Sequence, residues 1–209
     1  MHATIATSKP RRVFRWRVVD IVVAAVVGVA AGVIYWAWGL AWGPLSGLLA
    51  FSPGLAGLLS GGWLFAGVLG ALIVRKPGAA VFTEVVAATV EMLIGNGWGF
   101  SSFIWGLVEG LGAEIVFALF FYGVWRFGVA LLAGAGAGVA VGLLDTTFTS
   151  YAAFDPGVKL LYIASAVVSG VVIAGLLSWF AVRGLAATGA LSRFAAGRTA
   201  EPVLEERPA

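Results

Sequence analysis

The chain has 209 residues, of which 61% are hydrophobic and 11% charged, and its mean hydropathy is +1.01. Soluble domains carry about 45–50% apolar and about 25% charged residues, so a water-soluble fold of this size could not hide so much apolar surface. The net charge of +3 does not signal nucleic acid, because the cations stand at segment ends, and with no cysteine and one histidine (His2) the chain has neither a disulfide framework nor imidazole chemistry to offer.

Residues 1–17 form a basic tail with Lys9, Arg11, Arg12, Arg15 and Arg17. The apolar run that follows, about 18–40, exceeds the roughly 7–15 residues of a secretory signal core and suffices to cross a bilayer, which predicts an uncleaved first span. A loop over 41–54, with Gly43-Pro44 and Ser52-Pro53-Gly54, should separate it from a second span at 55–74. That loop has no charge but carries Trp42, Leu48, Leu49 and Phe51, so it reads as a lid over a site or as an interfacial half-helix.

The charged turn Arg75-Lys76-Pro77-Gly78 ends the second span, and a third follows at 79–96, closing at Gly95-Asn96-Gly97. The fourth covers 100–123, ended by Arg126, the fifth 128–146, and the sixth 159–182, ended by Arg183. Residues 184–209, with Glu201, Pro202, Glu205, Glu206, Arg207 and Pro208, have the composition of a disordered polar tail. The expected architecture is therefore an all-α membrane domain over 18–183, a bundle of six transmembrane helices. With a cytoplasmic N-terminus, the C-terminus is also cytoplasmic, and every Lys and Arg except Lys159 falls on the cytoplasmic side.

Four glutamates lie within these spans: Glu84 and Glu91 in the third, Glu109 and Glu114 in the fourth. Each acid at mid-bilayer costs about 2.5–3.5 kcal/mol, and no Lys or Arg lies inside a span to offset it, so these residues mark a site by default. At a rise of about 1.5 Å per residue, Glu91 and Glu109 share a layer near mid-height, and Glu84 and Glu114 a deeper one. Glu84 and Glu91, seven apart, share a helix face. Glu109 and Glu114, five apart, diverge by about 140° and cannot both point into one pocket.

Carboxylates gathered without a base call for protons, a metal ion or an organic cation. Hard metals demand six or more oxygens or water-rich geometry, whereas the aromatic side chains near the acids favour a flat cationic heterocycle held by stacking and cation–π attraction. Trp98 and Asn96 sit at the turn between spans three and four; Tyr35, Trp36 and Trp38 close span one; Trp63 lies in span two. Trp and Tyr also belt membrane interfaces without any ligand, which is the plainer reading for all of these but Trp98. Tyr162, Ser165 and Ser169 form a polar stripe on span six, and Asp145 ends span five.

Small residues at spacing four, Ala24, Gly28 and Gly32 on span one, make a strip for close helix contact, as do Gly134, Gly136, Gly138 and Gly142 on span five. The sequence holds no phosphate-binding loop, serine elbow or H-E-x-x-H zinc motif, so it offers no engine for ATP hydrolysis and no catalytic constellation.

Gly62-Trp63-Leu64-Phe65, the run from Arg75 to Ala80, Glu84-Val85-Val86-Ala87-Ala88 with Glu91, Gly97-Trp98-Gly99 and the run from Gly110 to Glu114 together resemble the YkoE family. These are substrate-binding (S) components of energy-coupling factor (ECF) transporters associated with thiamine or its hydroxymethylpyrimidine precursor. The likeness is dense over about 60–123. It implies a multi-pass protein of the bacterial cell membrane with an outward-facing pocket under the first outer loop. It also implies partners: a transmembrane coupling (T) subunit and two ATPase subunits, so that this chain is no enzyme and needs no cofactor. Small residues of the first helix dock the coupling subunit in such proteins, which maps onto Ala24, Gly28 and Gly32. Glutamine is usual in the family where this chain has Glu109. On this reading Glu84, Glu91, Asn96 and Trp98 line the pocket, Glu114 binds the ligand or braces its floor, and Glu109, Trp63, Trp36 and Tyr162 complete the candidate set. A stand-alone proton-coupled carrier or channel for small organic cations would use the same acids.

Overall fold

The computed structural model describes residues 14–198. His2, Lys9, Arg11, Arg12 and the acidic end of the tail lie outside them. Helix α1 is Val18–Leu48, α2 Phe65–Val74, α3 Ala79–Ile94, α4 Ser101–Leu119, α5 Phe127–Phe148, α6 Pro156–Ala187 and the short α7 Ala195–Arg198. Two 3-10 segments, Pro53–Trp63 and Ser150–Ala153, precede α2 and α6, and α6 contains a π-helical stretch at Gly170–Leu177.

Five segments are long and apolar enough to cross a membrane: α1, Pro53–Val74, α4, α5 and α6. Helix α3 falls short, because its 16 residues between Gly78 (φ 82°) and Gly95 (φ 105°) reach only about 24 Å. Helix α2 is the centre of the bundle. Apolar on every side, it buries every residue from Ala66 to Val74 except Leu69, as expected of a helix without a polar face. Around it, α1 packs on α3, α3 on α4, α4 on α5, and α5 on α6.

Several boundaries differ from the expectation. Helix α1 does not stop at 40 but runs through Pro44 to Leu48, so most of the expected 41–54 loop is helical. Proline sits in the last turn, where only a few hydrogen bonds remain to lose. Helix α4 stops at Leu119 because Phe121 and Tyr122 take left-handed backbone (φ 51° and 50°), a turn with no glycine to announce it. The tail expected to be disordered from 184 is ordered as far as Arg198: α6 continues to Ala187, and Leu191, Phe194 and Ala196 are buried.

The small-residue strip on α1 is also reassigned. Ala24, Gly28 and Gly32 are buried against α3 within the chain, where a Cβ on Gly28 would stand 2.7 Å from Val86 Cγ1 and one on Gly32 2.6 Å from the Ala87 carbonyl oxygen. Within the chain, α3 already occupies this face. On α5, Gly138 and Gly142 face α6 while Gly136 faces α4, so α5 is pressed between them.

At one end of the bundle the Arg75–Gly78 turn is bound from three sides. Asp20, buried, accepts from Lys76 and from Arg17, and Trp16 donates its indole N–H to the Pro77 carbonyl at 2.9 Å. Arg75 lies 5.9 Å from the Trp125 ring centroid and donates to the Ala195 carbonyl. Replacing Lys76 by methionine should leave Asp20 half-compensated and cost about 3 kcal/mol, read as a lowered melting temperature in detergent; an unchanged melt would show the contact to be incidental.

Candidate functional site

The opposite end of the bundle, where α3 gives way to α4 through Gly95–Phe100, contains a cavity of about 370 Å³, within the range of small-molecule sites. Three acids face it, Glu91 from α3, Glu109 from α4 and Asp145 from α5, and no Lys, Arg or His lines it. One wall is tryptophan. Trp63, at the end of the first 3-10 segment, meets Trp42 and Trp98 edge-on with ring centroids 5.5 Å apart in each case, and Trp38 at 6.3 Å. Its indole N–H donates to Glu91 Oε1 at 3.1 Å. Gly39 makes room here, since a Cβ on it would lie 3.1 Å from the Trp98 ring and 3.4 Å from Glu91 Oε1.

The facing wall is built on Asp145. Its Oδ1 accepts from the Trp105 indole N–H at 2.7 Å and its Oδ2 from the Tyr162 hydroxyl at 2.6 Å. Tyr151 packs on Tyr162 with centroids 4.4 Å apart. Both walls also carry hydroxyls, from Ser60, Ser102, Thr149 and Ser150. The arrangement offers aromatic faces and negative charge to a flat, electron-poor or cationic guest.

Not all the expected residues reach this space. Glu91, Glu109, Trp63, Trp98 and Tyr162 line it. Glu84 is buried away from it, accepting from the Tyr35 hydroxyl at 2.7 Å and the Gly67 N–H at 2.6 Å, and so ties α1, α2 and α3 together. Asn96 does not line the cavity but organises the turn beside it: its side-chain oxygen accepts from the N–H groups of Trp98 and Gly99, and its amide interacts with Ser102 and with Glu91 of the wall. Trp36 donates to the Gly95 carbonyl on the outside of the same turn. Ser169 leaves its own helix to bond the 3-10 segment, donating to the Leu58 carbonyl and accepting from the Gly61 N–H.

Glu114 turns away from Glu109, as their five-residue spacing requires. It caps the N-terminus of α3, accepting from the Gly78 N–H at 2.6 Å and the Ala80 N–H at 2.9 Å. A carboxylate there meets unpaired N–H groups and the positive end of the helix dipole. Glu114→Ala should therefore cost about 1–2 kcal/mol of stability and leave ligand affinity within about 2-fold, because it has no contact with the cavity; thermal unfolding and binding titration of the same preparation separate the two.

Trp42, Trp105, Tyr151 and Asp145 are the wall residues that sequence reasoning did not select. By sequence Trp42 falls in the 41–54 loop, and Asp145 at the end of span five. A spacing signal existed for Trp105, four residues before Glu109 on the same helix face.

Residues 19–140 match the profile of a family described as the permease component of an ABC-type cobalt transport system. A Bacillus subtilis (strain 168) protein, the HMP/thiamine permease protein YkoE by name, is 36% identical over 186 residues, which span 88% of this chain and 91% of that protein. A crystal structure of an S-component of an ECF transporter superposes with a TM-score of 0.84 at 36% identity, covering 88% of this chain and 93% of that one. The chain belongs to the YkoE family of ECF S components. It is a membrane transport protein of a class that contains no enzymes.

Two of the motifs by which the YkoE family is recognised here meet one another away from the cavity. The Arg75–Ala80 run and the Gly110–Glu114 run converge: Glu114 caps Gly78 and Ala80, and a Cβ on Gly110 would lie 2.9 Å from Val81 Cα. Their chemistry is helix capping and close packing. The cavity lies on the other side of Glu84. Among its described residues, no three His, Cys, Asp or Glu side chains are grouped to hold a metal ion.

Proposed function

We propose that this chain is the substrate-capturing subunit of an ATP-driven ECF importer of the bacterial cell membrane, taking thiamine or its hydroxymethylpyrimidine precursor from the outer side. The observation that carries this reading is the cavity bounded by Glu91, Glu109 and Asp145 and walled by Trp42, Trp63 and Trp98, with no base on its lining. Thiamine joins a thiazolium of fixed charge to an aminopyrimidine, and these suit carboxylates flanked by indole faces. The name of the Bacillus subtilis relative supports the same ligand class.

On this reading α3 completes a six-span bundle with both termini cytoplasmic, where all cations but Lys159 would lie. The cavity, at the end away from Arg75 and Lys76, then opens outward. The last turn of α1 brings Trp42 over it, in the place of the lid considered for 41–54. Energy comes from two ATPase subunits through a transmembrane coupling subunit, as the S-component likeness implies.

Glu91→Gln tests the ligand assignment. It keeps the shape and the Trp63 bond but removes a charge, and thiamine affinity, followed by quenching of the tryptophan wall, should fall at least about 10-fold. Undiminished binding would remove Glu91 from the site. Liposomes containing this chain alone under a proton gradient should accumulate no thiamine; uphill uptake without ATPases would favour the self-sufficient carrier.

A further inference from the structure

Six acids lie in the described helices around this core, five of them buried and Asp145 half-buried, and five of the six are committed. Asp20 is paired with Lys76 and Arg17, Glu84 accepts from Tyr35 and Gly67, Glu114 caps α3, and Asp145 accepts on both oxygens. Glu91, on the cavity wall, accepts from Trp63. Glu109 stands apart. It is 5% exposed, faces the cavity, and accepts no hydrogen bond from any described residue. Its charged neighbours are all acids: Glu84 and Glu91 from α3, and Asp145 from α5.

A buried carboxylate with neither donor nor counter-ion is costly, and more so in a membrane protein. Packing cannot account for its position, because its neighbours on α4, Gly106 and Gly110, already make the close contacts with α3: a Cβ on Gly106 would stand 2.5 Å from Ala88 Cβ. No described residue donates to the Glu109 oxygens. They face the cavity described above.

We propose that Glu109 is the charge-reading residue of this site: it supplies the counter-ion to a permanently cationic ring and thereby makes the cavity prefer a charged heterocycle over a neutral one of the same shape. This rests on the proposed function, and it deepens it by assigning the preference between a cationic and a neutral ligand to one side chain. The other acids contribute less to that discrimination. Glu91 shares its charge with the Trp63 N–H, and Asp145 with Trp105 and Tyr162, whereas both oxygens of Glu109 are uncommitted. A counter-ion inside a cavity shielded from water acts through a lower dielectric than one at the surface, so its effect on a charged guest exceeds its effect on a neutral one.

The test uses the full chain, purified in detergent, and three probes: thiamine, its uncharged thiophene isostere, and hydroxymethylpyrimidine. The unmodified protein should bind thiamine at least about 10-fold more tightly than the isostere, and Glu109→Gln should bring that ratio close to one while shifting hydroxymethylpyrimidine affinity by less than about 3-fold. A ratio near one in the unmodified protein overturns the inference without any variant being needed. So does Glu109→Gln that keeps the full ratio, or that weakens charged and neutral probes equally while still melting cooperatively. If the unmodified protein binds none of the three, the ligand class is wrong and the proposed function falls with the inference; if it binds thiamine and the isostere alike, only the role of Glu109 falls.

Discussion

Trp63→Ala should weaken thiamine binding about 100-fold, the largest ligand effect expected of any single side chain. Trp63 is the hub of the aromatic wall, in edge contact with Trp38, Trp42 and Trp98, and it donates to Glu91. Truncation removes a ring worth about 2 kcal/mol against a desolvated cation and a further 0.5–1.5 kcal/mol of aromatic pairing that holds its neighbours in place. Together these come near 3 kcal/mol, or about two decades of affinity. Because Trp63 is only half-buried at a cavity edge, cooperative unfolding should persist. Trp36→Ala is the matched control: Trp36 bonds the Gly95 carbonyl outside the cavity, and its loss should change affinity by less than about 3-fold. Equal losses in the two variants would mean that the indoles serve the membrane interface and not a ligand.

Gly32→Val should destabilise the bundle by about 3 kcal/mol, at the upper end for overpacking. The added Cβ alone would lie 2.6 Å from both the Ala87 carbonyl oxygen and Val90 Cβ. Backbone cannot rotate aside as a flexible side chain can, so α1 and α3 must separate along their length. That separation would draw Tyr35 away from Glu84 and open the tie between α1, α2 and α3. Gly47→Ala is the control, since a Cβ there meets nothing within 4 Å and should leave stability unchanged or slightly raised. Thermal unfolding in detergent reads both. A Gly32→Val variant that melts normally but no longer binds a coupling subunit would return this strip to the docking role that the family likeness implied.

Composition and punctuation were enough to establish an all-helical membrane protein and the approximate positions of α1 to α6, because burial in lipid demands long apolar runs and charges interrupt them. They were enough, too, to mark Glu91, Glu109, Trp63, Trp98 and Tyr162, since an uncompensated acid or a polar aromatic inside such a run is conspicuous. Helical geometry also separated Glu109 from Glu114. The end of α4 falls before the left-handed Phe121-Tyr122 pair and not at Gly123, which bulky aromatic residues do not announce, and Pro44 suggested a break that the end of α1 absorbs.

Only the tertiary structure decided which acids face the cavity and which tie helices together. Glu84, Glu91, Glu109 and Glu114 are the same side chain in similar apolar surroundings, and their roles depend on which backbone N–H, hydroxyl or indole another helix brings within reach. Those partners are remote in sequence: Tyr35 and Gly67 for Glu84, Gly78 and Ala80 for Glu114, Trp63 for Glu91, and none for Glu109. The same is true of Ala24, Gly28 and Gly32, because a strip of small residues states that something packs closely without stating what. Local sequence fixes a residue's helix and height in the bilayer; the neighbour that meets it is set by how the helices pack.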